Sequence, residues 1–269
     1  STVKPYLYTL AMEEGMAPCD LILCAPITLQ TSSGPYTPRN ASSARMGEMV
    51  SLRWALANSN NWISVRLLTQ YTPESLARLM RSFGIRGQID PVASLALGPV
   101  DVSVSEMVNA YTAFPSKGIR SEPLYVTHIE DANGNIIGNF APKMHEIFSE
   151  RTAYKMIYML RSVIDDGTGG RVRRVYGLNM PMGGKTGTTD NNSDGWFMGF
   201  TPKLVSGVWV GGEERSINFD NMAQGQGAAM ALPIWGIYMK KVLANPALGY
   251  KTTDQFDVPA EFNTEIGCD

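Results

Sequence analysis

The sequence predicts a mixed fold, with helices first, then a mainly antiparallel sheet, then a closing helix. Three observations predict it. Apolar residues recur at helical spacing in several segments before residue 165. Two aromatic and β-branched runs, Trp196 to Phe200 and Leu204 to Val210, meet at Thr201-Pro202-Lys203, which makes a hairpin. Helical spacing returns from Pro233 to Leu243.

Taken in order, Lys4 to Gly15 carries Tyr6, Leu7, Leu10 and Ala11 on a helix that Gly15 stops. Residues 16–45 are rich in Pro, Ser, Thr and Gly and read as a long irregular connection, of the kind that is functional or disordered. Met46 to Asn58 reads as a helix with Met49, Leu52 and Leu56 on one face, and Trp62 to Tyr71 resumes the spacing. Thr72 caps a helix that starts at Pro73. Ser103 and Glu106 form the capping box of a helix through Phe114. Leu124 to Glu130 and Ile136 to Phe140 are strands joined by the turn residues 131–135. Ser149 caps a helix through Ile164, ended by Gly167, and Gly183 to Thr189 is an extended Gly/Thr stretch.

Composition excludes some classes. The chain has 269 residues, enough for one large domain or two intimate subdomains, and a formal net charge of −2. Near-neutral charge argues against nucleic acid as a partner. The basic cluster Arg171, Arg173 and Arg174 reads as a solvated loop face. No stretch reaches the roughly 18 apolar residues of a membrane helix, and no signal peptide is visible. The chain opens at Ser1 inside a helix, so it reads as a fragment. Cys19 and Cys24 are close enough for a small loop disulfide, which would fit an oxidising compartment, and two free thiols fit as well. With only His128 and His145, far from any cysteine cluster, no metal or other cofactor is expected.

Three short motifs carry candidate chemistry. Ser1-Thr2-Val3-Lys4 has the form SxxK, and positions three apart share a helix face. A lysine there takes a serine proton only if it is neutral, which burial and a second cation both favour. On its own the pattern also fits a solvated surface pair. Lys185-Thr186-Gly187-Thr188 places a lysine, two hydroxyls and a glycine along one strand. The donors suit a carboxylate, the glycine admits a close ligand backbone, and a sheet edge would bind a peptide by strand addition. An ordinary glycine kink gives the same pattern. Ser59-Asn60-Asn61, of the form SxN, interrupts two helical segments as any polar turn would, and Ser216-Ile217-Asn218 matches it too.

Combination and order separate these motifs from their bland readings. SxxK, then SxN on helices, then KTG on a strand is the set shared by penicillin-binding proteins and serine β-lactamases, and only Ser59 respects the order. The resemblance extends further. Residues 185–189, 194–202 and 207–211, Gly167-Thr168-Gly169, Leu232-Pro233-Ile234-Trp235, and Tyr36-Thr37-Pro38-Arg39-Asn40 before SxN all resemble class A penicillin-binding proteins.

That resemblance implies an α/β fold in which a mainly antiparallel sheet packs between helices, with a helical subdomain at about 20–120 carrying SxN. One transpeptidase domain would span 1–269. The family's early strands, glycosyltransferase domain and membrane anchor would lie upstream. The protein would work at the periplasmic face of the inner membrane.

The implied activity is a serine D,D-transpeptidase that cross-links peptidoglycan stem peptides and is acylated by β-lactams. Ser1 would attack, Lys4 would take its proton, and Ser59 and Asn61 would complete a relay. Lys185 would hold Lys4 neutral and attract the substrate carboxylate, which Thr186 and Thr188 would bind beside Gly187. The backbone N–H groups of Ser1 and Thr188 would form the oxyanion hole. A serine β-lactamase would need a water-activating base, and no candidate stands out. A non-catalytic β-lactam sensor fits the class A features less well. An N-terminal-nucleophile hydrolase would leave Lys4, Ser59 and Lys185 without a task.

Overall fold

The computed structural model describes residues 1–32, 34–260, 262 and 266. Among them the chain opens with helix α1 (Lys4–Glu13), strand β1 (Leu21–Leu23), the hairpin β2 (Leu29–Thr31) and β3 (Gly34–Tyr36), and β4 (Met49–Ser51). Helices α2 (Leu52–Ala57), α3 (Asn61–Leu68) and α4 (Pro73–Ser82), a 3₁₀ turn (Ala93–Leu97) and α5 (Val104–Tyr111) follow. Then come β5 (Ile119–Ser121), the hairpin β6 (His128–Glu130) and β7 (Ile136–Asn139), β8 (Met144–Glu146), α6 (Glu150–Asp165) and the single turn α7 (Arg171–Arg174). The last third holds β9 (Gly183–Thr188), β10 (Asp194–Phe200), β11 (Val205–Gly211), the turn α8 (Met222–Gly225) and α9 (Gly227–Leu243).

Strands β9, β10 and β11 form an antiparallel sheet in the order β11-β10-β9. Trp196 stands opposite Gly187 on one side and Trp209 on the other. Alternation puts Trp196, Met198 and Phe200 on one face, toward α5 and the larger core, and Phe197 on the other, against α9. Phe197 meets Trp235 of α9 edge-on, with ring centroids 5.0 Å apart. A Cβ at residue 199 would lie 2.4 Å from the Trp235 ring, so only glycine lets this helix seat so closely. Trp235 is fully buried, and truncating such a side chain to alanine costs about 3–5 kcal/mol.

Helix α1 is buried on nearly every side, with Lys4, Tyr6, Leu7, Tyr8, Ala11 and Met12 all inside. It is a central helix, not an amphipathic surface one. Helix α4 is amphipathic, turns Leu76 and Met80 inward, and is capped by Thr72 as expected. The Ser103–Glu106 capping box is present in full.

The structure departs from the sequence reading in several places. Met46 to Asn58 is not one helix. Residues 49–51 pair with β1, and Ser51 then caps α2. The connection 16–45 contains β1 and the β2–β3 hairpin. The closing helix begins at Gly227, with Pro233 inside it. Arg171 and Arg173 are not merely solvated. Arg171 Nη1 donates to Ala228 O, and Arg173 donates to Leu178 O and Met180 O and pairs with Asp165. Cys24 is a free, buried thiol while Cys19 is disulfide-bonded, so the two are not joined. The Cys24 Sγ points inward, where it accepts from Asn60 Nδ2 at 3.4 Å. Cys268 lies outside the described residues. No helix among them is long and apolar enough to cross a membrane.

Candidate active site

Three distant parts of the sequence converge where α1 begins. Lys4 projects from the first turn of α1, Ser59 comes from the link between α2 and α3, Asn61 opens α3, and Lys185 comes from β9. Ser59 adopts φ +53°, an uncommon conformation for a residue with a side chain. That turn reverses the chain between the two helices and brings both the Ser59 carbonyl and hydroxyl to Lys4. Asn60 then caps α3 by accepting from Ile63 N.

Lys4 Nζ donates to Ser59 O at 2.6 Å, Ser59 Oγ at 3.2 Å and Asn61 Oδ1 at 2.5 Å. Lys185 Nζ donates to the same Ser59 Oγ at 2.8 Å and to Thr186 O at 2.9 Å. Ser59 Oγ therefore bridges the two amines with its lone pairs, which leaves its own proton for another acceptor. Both lysines are 0 % exposed, and every one of these acceptors is an uncharged oxygen. Burial first, and then the neighbouring Lys185 charge, hold the Lys4 ammonium far below the ordinary lysine range, with Asp190 opposing. Burial pushes Lys185 down to about 7. Lys185 can therefore exchange protons near neutral pH, and Lys4 gives up its proton more readily than an ordinary lysine.

Ser1 sits one turn from Lys4 at the wall of a cleft of about 690 Å³. Its nitrogen donates to Leu97 O at 3.2 Å, and Tyr111 Oη donates to Thr2 O at 2.5 Å. Among the described residues the Ser1 hydroxyl is not one of the Lys4 partners, because Ser59 and Asn61 take all three ammonium donors. A proton must leave Lys4 before its lone pair can face Ser1.

The strand contributes in two ways. Thr189 N donates to Asp194 O at 3.2 Å, so this is a hydrogen-bonded pair of the ladder. Alternation then turns the N–H and C=O groups of Thr186 and Thr188 away from β10 and toward the open edge of β9. Their hydroxyls lie on the face opposite Lys185 and Gly187. Thr186 Oγ1 pairs with Thr168 Oγ1 at 2.7 Å, and Thr188 Oγ1 accepts from Gly227 N at 2.9 Å. Because Thr188 accepts there, its proton is free for a carboxylate. Gly187 lines the cleft. A Cβ there would lie 2.9 Å from Thr2 Cγ2, so the residue that approaches it closely is the chain's own Thr2, next to Ser1.

The sequence reading missed Leu97 O and Tyr111, which hold the start of α1. It also missed residues 38–40, which brace Asn61. Thr168 had a signal in Gly167-Thr168-Gly169. The others contribute backbone carbonyls or distant side chains, for which no local pattern exists.

The chain matches the family model described as the penicillin binding protein transpeptidase domain over residues 1–213. It is 34% identical to penicillin-binding protein 1A of Aquifex aeolicus over 251 residues, covering 90% of this chain and 32% of that one. It is 32% identical to the Neisseria lactamica protein of the same name, covering 94% and 32%. It thus spans about a third of the length of these relatives. Among solved structures, penicillin-binding protein 1A from Haemophilus influenzae shares the fold, with a TM-score of 0.84 at 24% identity over 97% of this chain and 43% of that one. Penicillin-binding protein A from M. tuberculosis, solved as an imipenem acyl-enzyme complex, also shares it, with a TM-score of 0.74 at 20% identity over 89% and 59%.

Proposed function

Because this chain belongs to the penicillin-binding protein transpeptidase domain family, we propose that it is a serine D,D-transpeptidase of peptidoglycan synthesis, acylated at Ser1 and inhibited there by β-lactams. One observation carries this reading. Ser59 Oγ joins Lys4 and Lys185 in a single hydrogen-bonded chain, and Lys4 N donates to Ser1 O in the turn that leads into α1, with Ser1 at the wall of a cleft.

In this mechanism neutral Lys4 takes the Ser1 proton as Oγ attacks the carbonyl between two terminal D-alanines. The oxyanion receives hydrogen bonds from Thr188 N–H, on the open edge of β9, and from the Ser1 nitrogen. The C–N bond then breaks. The proton held by Lys4 passes through Ser59 to the departing amine, and D-alanine leaves. An amine of a second strand attacks the ester, its proton returns through the same relay, and Ser1 is regenerated with a new amide formed. Asn61 positions Lys4, and Lys185 disfavours its charge. The Lys185 charge attracts the terminal carboxylate, which the hydroxyls of Thr186 and Thr188 bind beside Gly187. Residues of about 20–120 form the helical subdomain that presents SxN. The substrate places the protein at the extracytoplasmic face of the inner membrane.

The test is covalent labelling by a fluorescent penicillin. A stable one-to-one adduct lasting hours is expected. Rapid loss with release of opened β-lactam would indicate a β-lactamase, and no adduct at all would refute the reading.

A further inference from the structure

We infer that Asn40 is a positioning residue for this site: with the Arg39 carbonyl it locks the Asn61 amide so that its oxygen, and not its nitrogen, faces Lys4. The inference rests on the reading of Lys4 as the proton acceptor.

Residues 38–40 form no regular element, yet each grips the start of α3. Trp62 Nε1 donates to Pro38 O at 3.0 Å, and Asn61 Nδ2 donates to Arg39 O at 2.6 Å. Asn61 N donates to Asn40 Oδ1 at 2.8 Å. Asn61 opens α3, so its N–H is one of the donors that the helix itself leaves unpaired. Asn40 supplies the acceptor from outside. Its own amide is fixed in turn, because Nδ2 donates to Ser42 O at 2.6 Å.

The direction of each bond is forced. A backbone carbonyl only accepts and an ammonium only donates. Asn61 lies between Arg39 O and Lys4 Nζ, so a single orientation of its amide satisfies both. The flipped amide would set donor against donor at Lys4 and acceptor against acceptor at Arg39. Without Asn40, the segment 38–40 loses one of its three ties to α3, and the Arg39 carbonyl that selects the orientation is held less firmly. Lys4 would then meet an ill-placed amide in place of a fixed oxygen acceptor.

The expected sign follows. An acceptor on Lys4 favours its ammonium form, so loosening Asn61 adds to the effects that already disfavour the charge. The charged groups facing Lys4 are Lys185 on β9, Asp190 in the turn after β9, and the Ser1 amino group, and Asn40→Ala changes none of them.

The experiment compares the native chain with Asn40→Ala in two readouts, after thermal melts confirm folding. The first is NMR titration of the Lys4 side chain, which needs no activity. The second is the pH profile of penicillin acylation. In Asn40→Ala the Lys4 titration and the acid limb of acylation should both move to lower pH, while the plateau rate falls about 10–100-fold through misplacement of the base. Asn40→Asp, which keeps an acceptor for Asn61 N–H, should restore most of the plateau. If Asn40→Ala does not fold, Asn40→Ser, too short to span the contact, takes its place. A folded variant with an unmoved Lys4 titration overturns the inference. A native chain that penicillin does not acylate overturns the proposed function instead, and the titration still decides the role of Asn40.

Discussion

The polar cluster behind Ser1 and the cleft in front of it differ in construction. Behind Ser1, Lys4 and Lys185 are fully buried, share one hydroxyl, and meet only neutral oxygens. In front, the cleft is bounded by half-exposed Trp209, whose Nε1 donates to Asp194, and by an Arg215–Asp101 ion pair with 73% and 87% of its side chains exposed. Groups of the first kind are held in one arrangement, with their protonation set by the protein interior. Groups of the second kind are screened by water, and their individual contributions are small. The difference separates the part of the site fixed before a ligand arrives from the part free to adapt to it.

This comparison is sharpest at Lys4. Lys4→Met keeps the length and burial of the side chain but removes the amine, and penicillin acylation should slow by about 10²–10⁴-fold, the span of a general base. Stopped-flow labelling with unchanged thermal stability would check it. A loss below about tenfold would move the base elsewhere.

Asn61→Asp tests the same cluster by charge. It places a carboxylate where the oxygen lies 2.5 Å from Lys4 Nζ, which favours the ammonium. The acid limb of acylation should move to higher pH, and the rate near neutrality should drop by about tenfold. A limb that stays in place would mean that Lys4 does not set it.

Burial of Lys185 also predicts a dependence of stability on pH. Its folded value is about 7 against an ordinary 10.5. Between these values the unfolded chain binds more protons than the folded one, so stability should rise with pH across that window. Urea titrations at its two ends should show a larger rise for the native chain than for Lys185→Met. Equal rises would place the charge of Lys185 in solvent.

The open side supplies the smallest effect. Arg215→Ala breaks only the exposed pair with Asp101, and it should change stability by at most about 1 kcal/mol. Acylation should stay within about threefold. A large loss would show that the far end of the cleft is as fixed as the cluster behind Ser1.

The sequence made some features legible and hid others, for physical reasons. The Ser103–Glu106 box and the Thr72 cap are local hydrogen-bond patterns, so spacing alone revealed them. The order SxxK, SxN, KTG named the residues that the fold brings together, although their separation along the chain gave no hint of distance. Strand β4 was hidden because three residues cannot declare themselves without β1, their partner. The spacing from Pro233 to Leu243 marks only the later part of α9, which runs for six residues ahead of Pro233. The close approach of Thr2 to Gly187 has no sequence signal, because the two residues are distant along the chain. Residues 38–40 act through carbonyls and one amide, and sequence carries no periodic signal for such a brace.

The central claim is that the buried cluster serves Ser1, and mapping the adduct tests it most directly. After exposure to penicillin, digestion and tandem mass spectrometry should place the whole acyl mass on Ser1, and Ser1→Ala should carry none while melting as the native chain does. An adduct on Ser59 or on Lys185, or labelling that survives in Ser1→Ala, would contradict the account.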